Sequence, residues 1–307
     1  METKEITKQM KIKKPKQKKH KYKNNTLFAK LCMAPSILGV LTFFIVPFFA
    51  VIYYSVLDNP ISKEFVWLDN FKSIVTNTAF LTAAKNTVVL ALITVPPAVV
   101  LSMLLAMLME SKIPGKSALR SIFLSPVMVP AASVVLVWQV VFHYNGTFNS
   151  WLAQWFGAEP VDWLKSKYCL LIIALLFLWK NLGYNMILFM SALAGMPRDL
   201  MEVADLEGAS ALYKFFKIKL RYLSPTVIFV TILSLINSFK LFREVYLMTG
   251  DYPYDGLYLL QHYMNNTFRT LDYQKLSAAA IIMMLVMSII IGMLIFFDGK
   301  FGGDIEE

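Results

Sequence analysis

The sequence predicts an all-α protein that crosses a membrane six times. Two observations carry this expectation. Of 307 residues, 57% are hydrophobic and 16% charged, which is more apolar surface than a soluble fold of this length can bury. The apolar residues also fall into six long runs, and about 20 residues rising about 1.5 Å each cross a hydrocarbon core of about 30 Å. None of the runs shows the short alternating pattern of a barrel strand, and the other backbone that survives in lipid is the helix.

The runs can be taken in order. Residues 31–57 are too long for a cleaved signal peptide and carry no small-residue cleavage site, so they read as an anchor. Residues 87–109, 121–142, 168–194, 223–247 and 278–297 follow. Pro35, Pro47, Pro96, Pro97, Pro126 and Pro130 lie inside them, so kinked helices whose neighbours re-satisfy the freed carbonyls are expected. The organisation is a basic tail at 1–26, a first span with its extracellular loop at 27–82, a five-helix core at 83–298 containing a cytoplasmic segment at 197–221, and a cytoplasmic C-terminus at 299–307. Cys32 and Cys169 are far apart, and His20, His143 and His262 are scattered, so no disulfide framework or metal-ligand spacing is visible.

Charge sets the expected orientation. Ten of the thirty Lys and Arg residues lie between Lys4 and Lys23, against two acids, Glu2 and Glu5. Without aromatic platforms or a folded scaffold, such a tail reads as a topological signal rather than a nucleic-acid arm. With the amino terminus inside, the inner segments carry twenty basic residues and the outer ones seven, which fits six spans of a cell membrane with both termini cytoplasmic.

The segment "EVADLEGASALYKFFKIKL", starting at Glu202, is charged and helix-prone in a chain otherwise dominated by apolar runs. Asp199 and Glu202 stand at capping-box spacing, so a helix can start here. Ala204, Gly208 and Ala211 are spaced to give one helical face with little bulk. Leu212, Phe215, Phe216, Leu220 and Leu223 then make an apolar stripe, with Lys214, Lys217 and Arg221 opposite, the pattern of a helix along the inner membrane surface with its bases near lipid phosphates.

Glu202-Val203-Ala204, Gly208-Ala209 and, eight residues later, Ile218-Lys219-Leu220 resemble the signature cytoplasmic loop of bacterial ABC importer permeases, the inner membrane components of binding-protein-dependent transport. Val203 stands where Ala is usual, Glu207 where Asp is usual, and Arg221 where Pro is typical. "AAKNTVVL", "RSIFLSPVMVP", "WKNLGYNMILFMSAL", "LSPTVIFV", "FREVYLMTGDYP" and "DNFKSIVTNTAF" are similar to the sugar-uptake, oligosaccharide branch, so the likeness covers residues 27–298. It implies a MetI-like, type I importer core that pairs with a second permease subunit as a heterodimer. It also implies two ATPase subunits beneath and an extracellular sugar-binding protein. The loop would be the coupling helix, with Glu202, Ala204, Asp205, Gly208 and Ala209 docking into the ATPase. ATP and Mg would be bound by that partner, with no cofactor in this chain and no nucleic acid.

Within the spans, Trp179, Asn181, Tyr184 and Asn185, then Asn237, Ser238, Lys240, Phe242, Arg243 and Glu244, are polar or aromatic where lipid would disfavour them. Amides and aromatic faces suit a sugar, and the resemblance places Tyr184, Asn237, Ser238 and Leu241 at sugar contacts, with Asn181 beside them. The same groups could instead hold helices together. Lys240 and Arg243 would suit an acidic sugar. "ESKIPGKS" is not a phosphate-binding loop, because Glu110 replaces the required first Gly and a membrane span precedes it. No arrangement of nucleophile, base or paired carboxylates points to an enzyme. Two other readings are a secondary carrier or channel using Lys180, Lys240 and Glu244, which an inverted repeat or broken midplane helix would support, and a scaffold subunit without a pore.

Overall fold

The computed structural model describes residues 26–59, 61–111 and 113–301, so the basic tail lies outside it. Among these residues the regular structure is helical, with one isolated antiparallel bridge between Leu57 and Phe65. The chain divides into two compact units at Ala50. The first contains α1 (Thr26–Val40), a π-helical turn (Leu41–Ile45) and the start of α2 (Val46–Ser55). Pro47 has no N–H to offer the carbonyl four residues back, and the π turn, in which the Val46 N–H donates to the Leu41 carbonyl, adjusts the helix just before it. The stretch Ala29–Ser55 is long and apolar enough to cross a membrane.

The second unit holds the rest. Helix α3 (Asp69–Val75) precedes α4 (Thr78–Glu110), whose first turn is capped by the Asn77 side chain accepting from the Phe80 N–H at 3.1 Å. At 33 residues, α4 starts nine residues before the apolar run that announced it, because the polar Lys85 and Asn86 interrupt the hydropathy while the helix continues through them. Its interior hydroxyls are satisfied by its own carbonyls: Thr87 on Ala83 at 2.8 Å and Thr94 on Leu90 at 2.7 Å.

The third apolar run is not one straight span. Helix α5 (Lys116–Met128) meets α6 (Ala131–Phe142) at Val129–Pro130, and the helical segment from Ala131 to Phe156 is bent by 98° from α5. Pro130 forces Val129 into an extended conformation (ψ 128°) and ends α5. Counting this pair as one, the described residues contain six helical candidates for crossing a membrane. Helix α7 (Thr147–Phe156) follows and exposes Trp151, Trp155 and Phe156, an aromatic face of the kind that sits at a membrane–water boundary. Behind it, buried Asn149 donates to the carbonyls of Tyr144 (2.8 Å) and Val161 (2.7 Å) and accepts from the Trp163 indole (2.8 Å), knitting the loop after α7.

Helix α8 (Cys169–Ala194) is the centre of the unit, with Ile173, Leu176, Phe177, Met186 and Phe189 fully buried between α4, α5 and α12 (Ser224–Lys240). Between α8 and α12 lie α9 (Arg198–Leu206), α10 (Ala211–Tyr213), a π-helical segment (Lys214–Lys219) and α11 (Leu220–Tyr222). Then come α13 (Phe242–Thr249), α14 (Leu260–Arg269) and α15 (Tyr273–Phe301). Asn86 donates to the carbonyls of Asp255 (2.5 Å) and Tyr258 (3.1 Å), and the Thr87 hydroxyl accepts from the first N–H of α14 at 2.8 Å, so α4 fixes where α14 begins.

His262 of α14 is fully buried against Phe242 (ring centroids 4.7 Å apart), and its Nδ1 accepts from the Leu259 N–H at 3.1 Å. Burial pushes its pKa down to about 4, against a partial opposing effect of Asp251. The unfolded chain therefore binds a proton that the folded one refuses, and stability falls as pH drops from the ordinary histidine value of about 6.5 towards 4. The opening free energy of α14, taken from hydrogen exchange after division by the intrinsic rate at each pH, is expected to fall over that window in the wild type, and the slope to flatten in His262→Gln.

Candidate functional site

Two places in the second unit gather the residues singled out in the sequence. The first is a cavity of ≈ 910 Å³ walled by α8, α12 and α13, with Val127 of α5 and Gln261 of α14 on its rim. Helical spacing explains its composition. Phe177, Lys180, Asn181 and Tyr184 recur on one face of α8, and Leu233, Asn237 and Lys240 on the facing side of α12, with Leu241 at the junction to α13. The structure thus brings together Tyr184, Asn181, Asn237 and Leu241. Ser238 is buried in α12 and stays off the cavity wall. Asn185 turns the other way, and its amide donates to the Ser234 hydroxyl of α12 at 2.9 Å, a helix-to-helix tie.

The two wall amides are linked. Asn237 Nδ2 donates to Asn181 Oδ1 at 3.0 Å, and Asn181 Nδ2 donates to the Phe177 carbonyl at 2.8 Å. This leaves the Asn237 carbonyl oxygen and the Tyr184 hydroxyl as free polar atoms beside the half-exposed Tyr184 ring and the Phe242 ring. Lys180 of α8 forms an ion pair with Glu244 of α13, whose carboxylate is buried. Sequence reading missed this pair, since the partners are 64 positions apart and nothing local couples them.

The second place is α9 and the turn after it. Ala204, Gly208 and Ala211 do not share a helical face, because α9 ends at Leu206. Gly208 has φ +71°, the Gly208 N–H donates to Asp205 O (3.1 Å) and the Ala209 N–H to Ala204 O (2.9 Å). That is the hydrogen-bond pattern of a Schellman cap, so the glycine is there to stop the helix. The signal was legible: a glycine two residues beyond the last periodic position. Ala204 is buried, Asp205 is ion-paired with Lys214, and Glu202 is exposed on the rim of a ≈ 600 Å³ cavity. One face of α9 exposes an apolar row, Leu200, Val203 (53% exposed) and Leu206 (89%), at every third position, beside the exposed charges of Arg198, Asp199, Glu202 and Asp205.

The segment after α9 also departs from expectation. The π-helical stretch Lys214–Lys219 advances fewer degrees per residue than an α-helix, so the anticipated basic stripe is broken up. Lys214 turns back to Asp205, and Lys219 reaches Glu110 at the end of α4, 2.6 Å away. These pairs tie α9 and the π-helical stretch to each other and to α4. Leu223 is buried as expected, and Pro225 opens α12, supplying the break that Arg221 does not.

Apolar helices long enough to span a membrane, with a polar cavity among them, make the chain a polytopic membrane protein. The chain belongs to the family of binding-protein-dependent transport system inner membrane components, whose model matches residues 86–298. It is thereby a non-enzymatic membrane subunit of an ABC-type transport system. It is 28% identical over 274 residues, 85% of each chain, to the arabinooligosaccharides transport system permease protein AraP of Halalkalibacterium halodurans. It is 30% identical to AraP of Bacillus subtilis, over 71% of each chain. It is also 29% identical to the sulfoquinovosyl glycerol transport system permease protein SmoG of Agrobacterium fabrum, over 84% of this chain and 85% of that one. Its fold matches a subunit of a bacterial ABC transporter involved in the import of the acidic polysaccharide alginate, with a TM-score of 0.77 and 20% identity over 90% of this chain and 95% of that one. The broken α5–α6 pair is the feature a secondary carrier would also show, but the family decides against that reading.

Proposed function

We propose that this permease passes a saccharide through a bacterial cell membrane as one half of a two-permease pore. An extracellular binding protein delivers the sugar, and two separate ATPase subunits, which hold ATP and Mg, drive the cycle. The observation that carries the reading is the ≈ 910 Å³ cavity, which sets the Tyr184 and Phe242 rings beside the linked amides of Asn181 and Asn237. Sugar rings present C–H patches to aromatic faces and hydroxyls to amides, and binding sites of this kind combine an apolar wall with a few oriented polar groups. Relatives named for arabinooligosaccharides and sulfoquinovosyl glycerol support the substrate class. Tyr184→Ala and Asn237→Ala in the reconstituted importer are each expected to lower uptake about tenfold, the equivalent of one lost contact of about 1.4 kcal/mol. Uptake unchanged in both variants would exclude the cavity as the sugar path.

Helix α9 is the coupling element in this reading. Exposed Leu200, Val203 and Leu206 form an apolar knob that fits a cleft on the ATPase, while Glu202 and Asp205 orient it. The nucleotide-driven closing of the ATPase pair moves α9, and the Lys214–Asp205 and Lys219–Glu110 pairs pass the movement to α4 and the interfacial segment. A Cβ at Gly208 meets nothing within 4 Å inside the chain. Gly208→Val therefore acts through the left-handed backbone, at about 1–2 kcal/mol, and through contact with the docked ATPase. Less ATPase is expected to co-purify with Gly208→Val, and transport to drop in proportion, with Gly208→Asn close to wild type because Asn tolerates this conformation. Full transport by Gly208→Val with the ATPase still bound would refute the docking role. The excess of Lys and Arg on the α9 side of the spans supports an orientation with both termini in the cytoplasm.

A further inference from the structure

We propose that the cavity between α8, α12 and α13 is built for a saccharide carrying a negative charge, a carboxylate, sulfonate or phosphate ester, rather than a neutral one; this rests on the sugar-path reading above. Four charged side chains reach its wall: Lys180, Lys240, Arg243 and Glu244. Glu244 is consumed by Lys180. Lys240 and Arg243 have no ion-pair or hydrogen-bond partner among the described residues, and both are exposed. They lie in the candidate span Ser224–Thr249, where a cation with no counter-ion is disfavoured unless it faces a water-filled path.

The hydrogen-bonding balance points the same way. A neutral sugar is rich in hydroxyl donors, and a site for it profits from free carboxylates that accept them. Here the one carboxylate on the wall is occupied. What remains is donor-rich: two cations and the Gln261 amide, with the Asn237 carbonyl and the Tyr184 hydroxyl as the other polar atoms. Arginine presents a planar fork that fits a carboxylate or phosphate, and lysine a mobile point charge. Lys240 and Arg243 are three residues apart across the α12–α13 junction, close enough to grip a single anionic group from two sides.

The test uses the assembled importer, with its partner permease and ATPase subunits, in nanodiscs and without binding protein. Calorimetry would compare three matched pairs: trigalacturonate with galactotriose, sulfoquinovose with glucose, and glucose 6-phosphate with glucose. At least one charged member is expected to bind about 10-fold to 100-fold more tightly than its neutral counterpart, the range for a hydrogen bond to a charged group. Added salt should erode the preference. The double variant Lys240→Gln/Arg243→Gln should abolish it. The proposal is overturned if no charged sugar exceeds its neutral partner, or if the preference survives in the double variant. Tyr184→Ala separates the two levels. If it weakens neutral sugars while no charge preference exists, the path stands and the anion site falls; if it changes no sugar's affinity, the path itself is wrong.

Discussion

Gly183→Ala is expected to yield a permease that no longer assembles into a stable importer. A Cβ on Gly183 would sit 1.8 Å from the Phe123 carbonyl oxygen and 2.4 Å from its carbon, where ordinary contact starts at 3.4 Å. Both atoms are backbone of α5, so no side chain can rotate away; α8 and α5 must separate by more than an ångström. Overpacking that side chains can absorb costs about 1–3 kcal/mol, and a backbone clash belongs at or beyond the upper end. The separation also opens the functional cavity, since α5 supplies Val127 and α8 supplies Lys180, Asn181 and Tyr184 to its wall. Gly292→Ala is the control: a Cβ there meets nothing within 4 Å. Thermal unfolding of the purified complex should show a large drop in Tm for Gly183→Ala and none for Gly292→Ala. Equal stability of the two variants would contradict the close approach.

This contact shows where sequence reasoning runs out. The span holding Gly183 was legible from hydropathy to within a residue at either end, because lipid imposes one strong, local rule on composition. The reason for the glycine is a backbone sixty residues earlier, which no local pattern encodes. The break at Pro130 was half legible. The prolines were visible, but whether a proline kinks a span or folds it through 98° depends on what packs around the extended residue before it. At the site, the polar and aromatic positions of α8 and α12 stood out against the apolar background, and the structure gathers all but Ser238 of the five residues expected to line the path into one cavity. The geometry of the segment after α8 was misread. Small residues at helical spacing suggested a smooth face, whereas Gly208 ends the helix and Leu200, Val203 and Leu206 stand out as an exposed apolar row among charged neighbours. Periodicity assumes that the helix continues, and a glycine at the capping position is the signal that it does not.

Glu244→Ala is expected to cost nearly as much as the Gly183 substitution, for an electrostatic reason. The pair with Lys180 joins α13 to α8 across the cavity, with the carboxylate side chain 7% and the lysine 21% exposed. Truncating one partner of a buried pair costs about 3–5 kcal/mol, because the remaining charge stays where water solvates it poorly. The cavity side of Lys180 moderates this towards the lower figure. Replacing both partners together, as Lys180→Met/Glu244→Leu, should recover most of the lost stability, since matched apolar residues remove the desolvation cost along with the attraction. Thermal unfolding of the two single variants and the double variant forms a cycle, and additivity of the two single losses would mean that the groups do not interact. Uptake measured on the same set separates two roles for the pair. If it serves only as a strut, the stable double variant transports at the wild-type rate. If Lys180 also meets a negatively charged substrate, the double variant is folded yet impaired for charged sugars alone: one cation and one anion leave the wall together, so its net charge is unchanged and the loss reports the Lys180 contact itself, while the Tyr184 ring and the Asn181–Asn237 amides that a neutral ring would use stay in place.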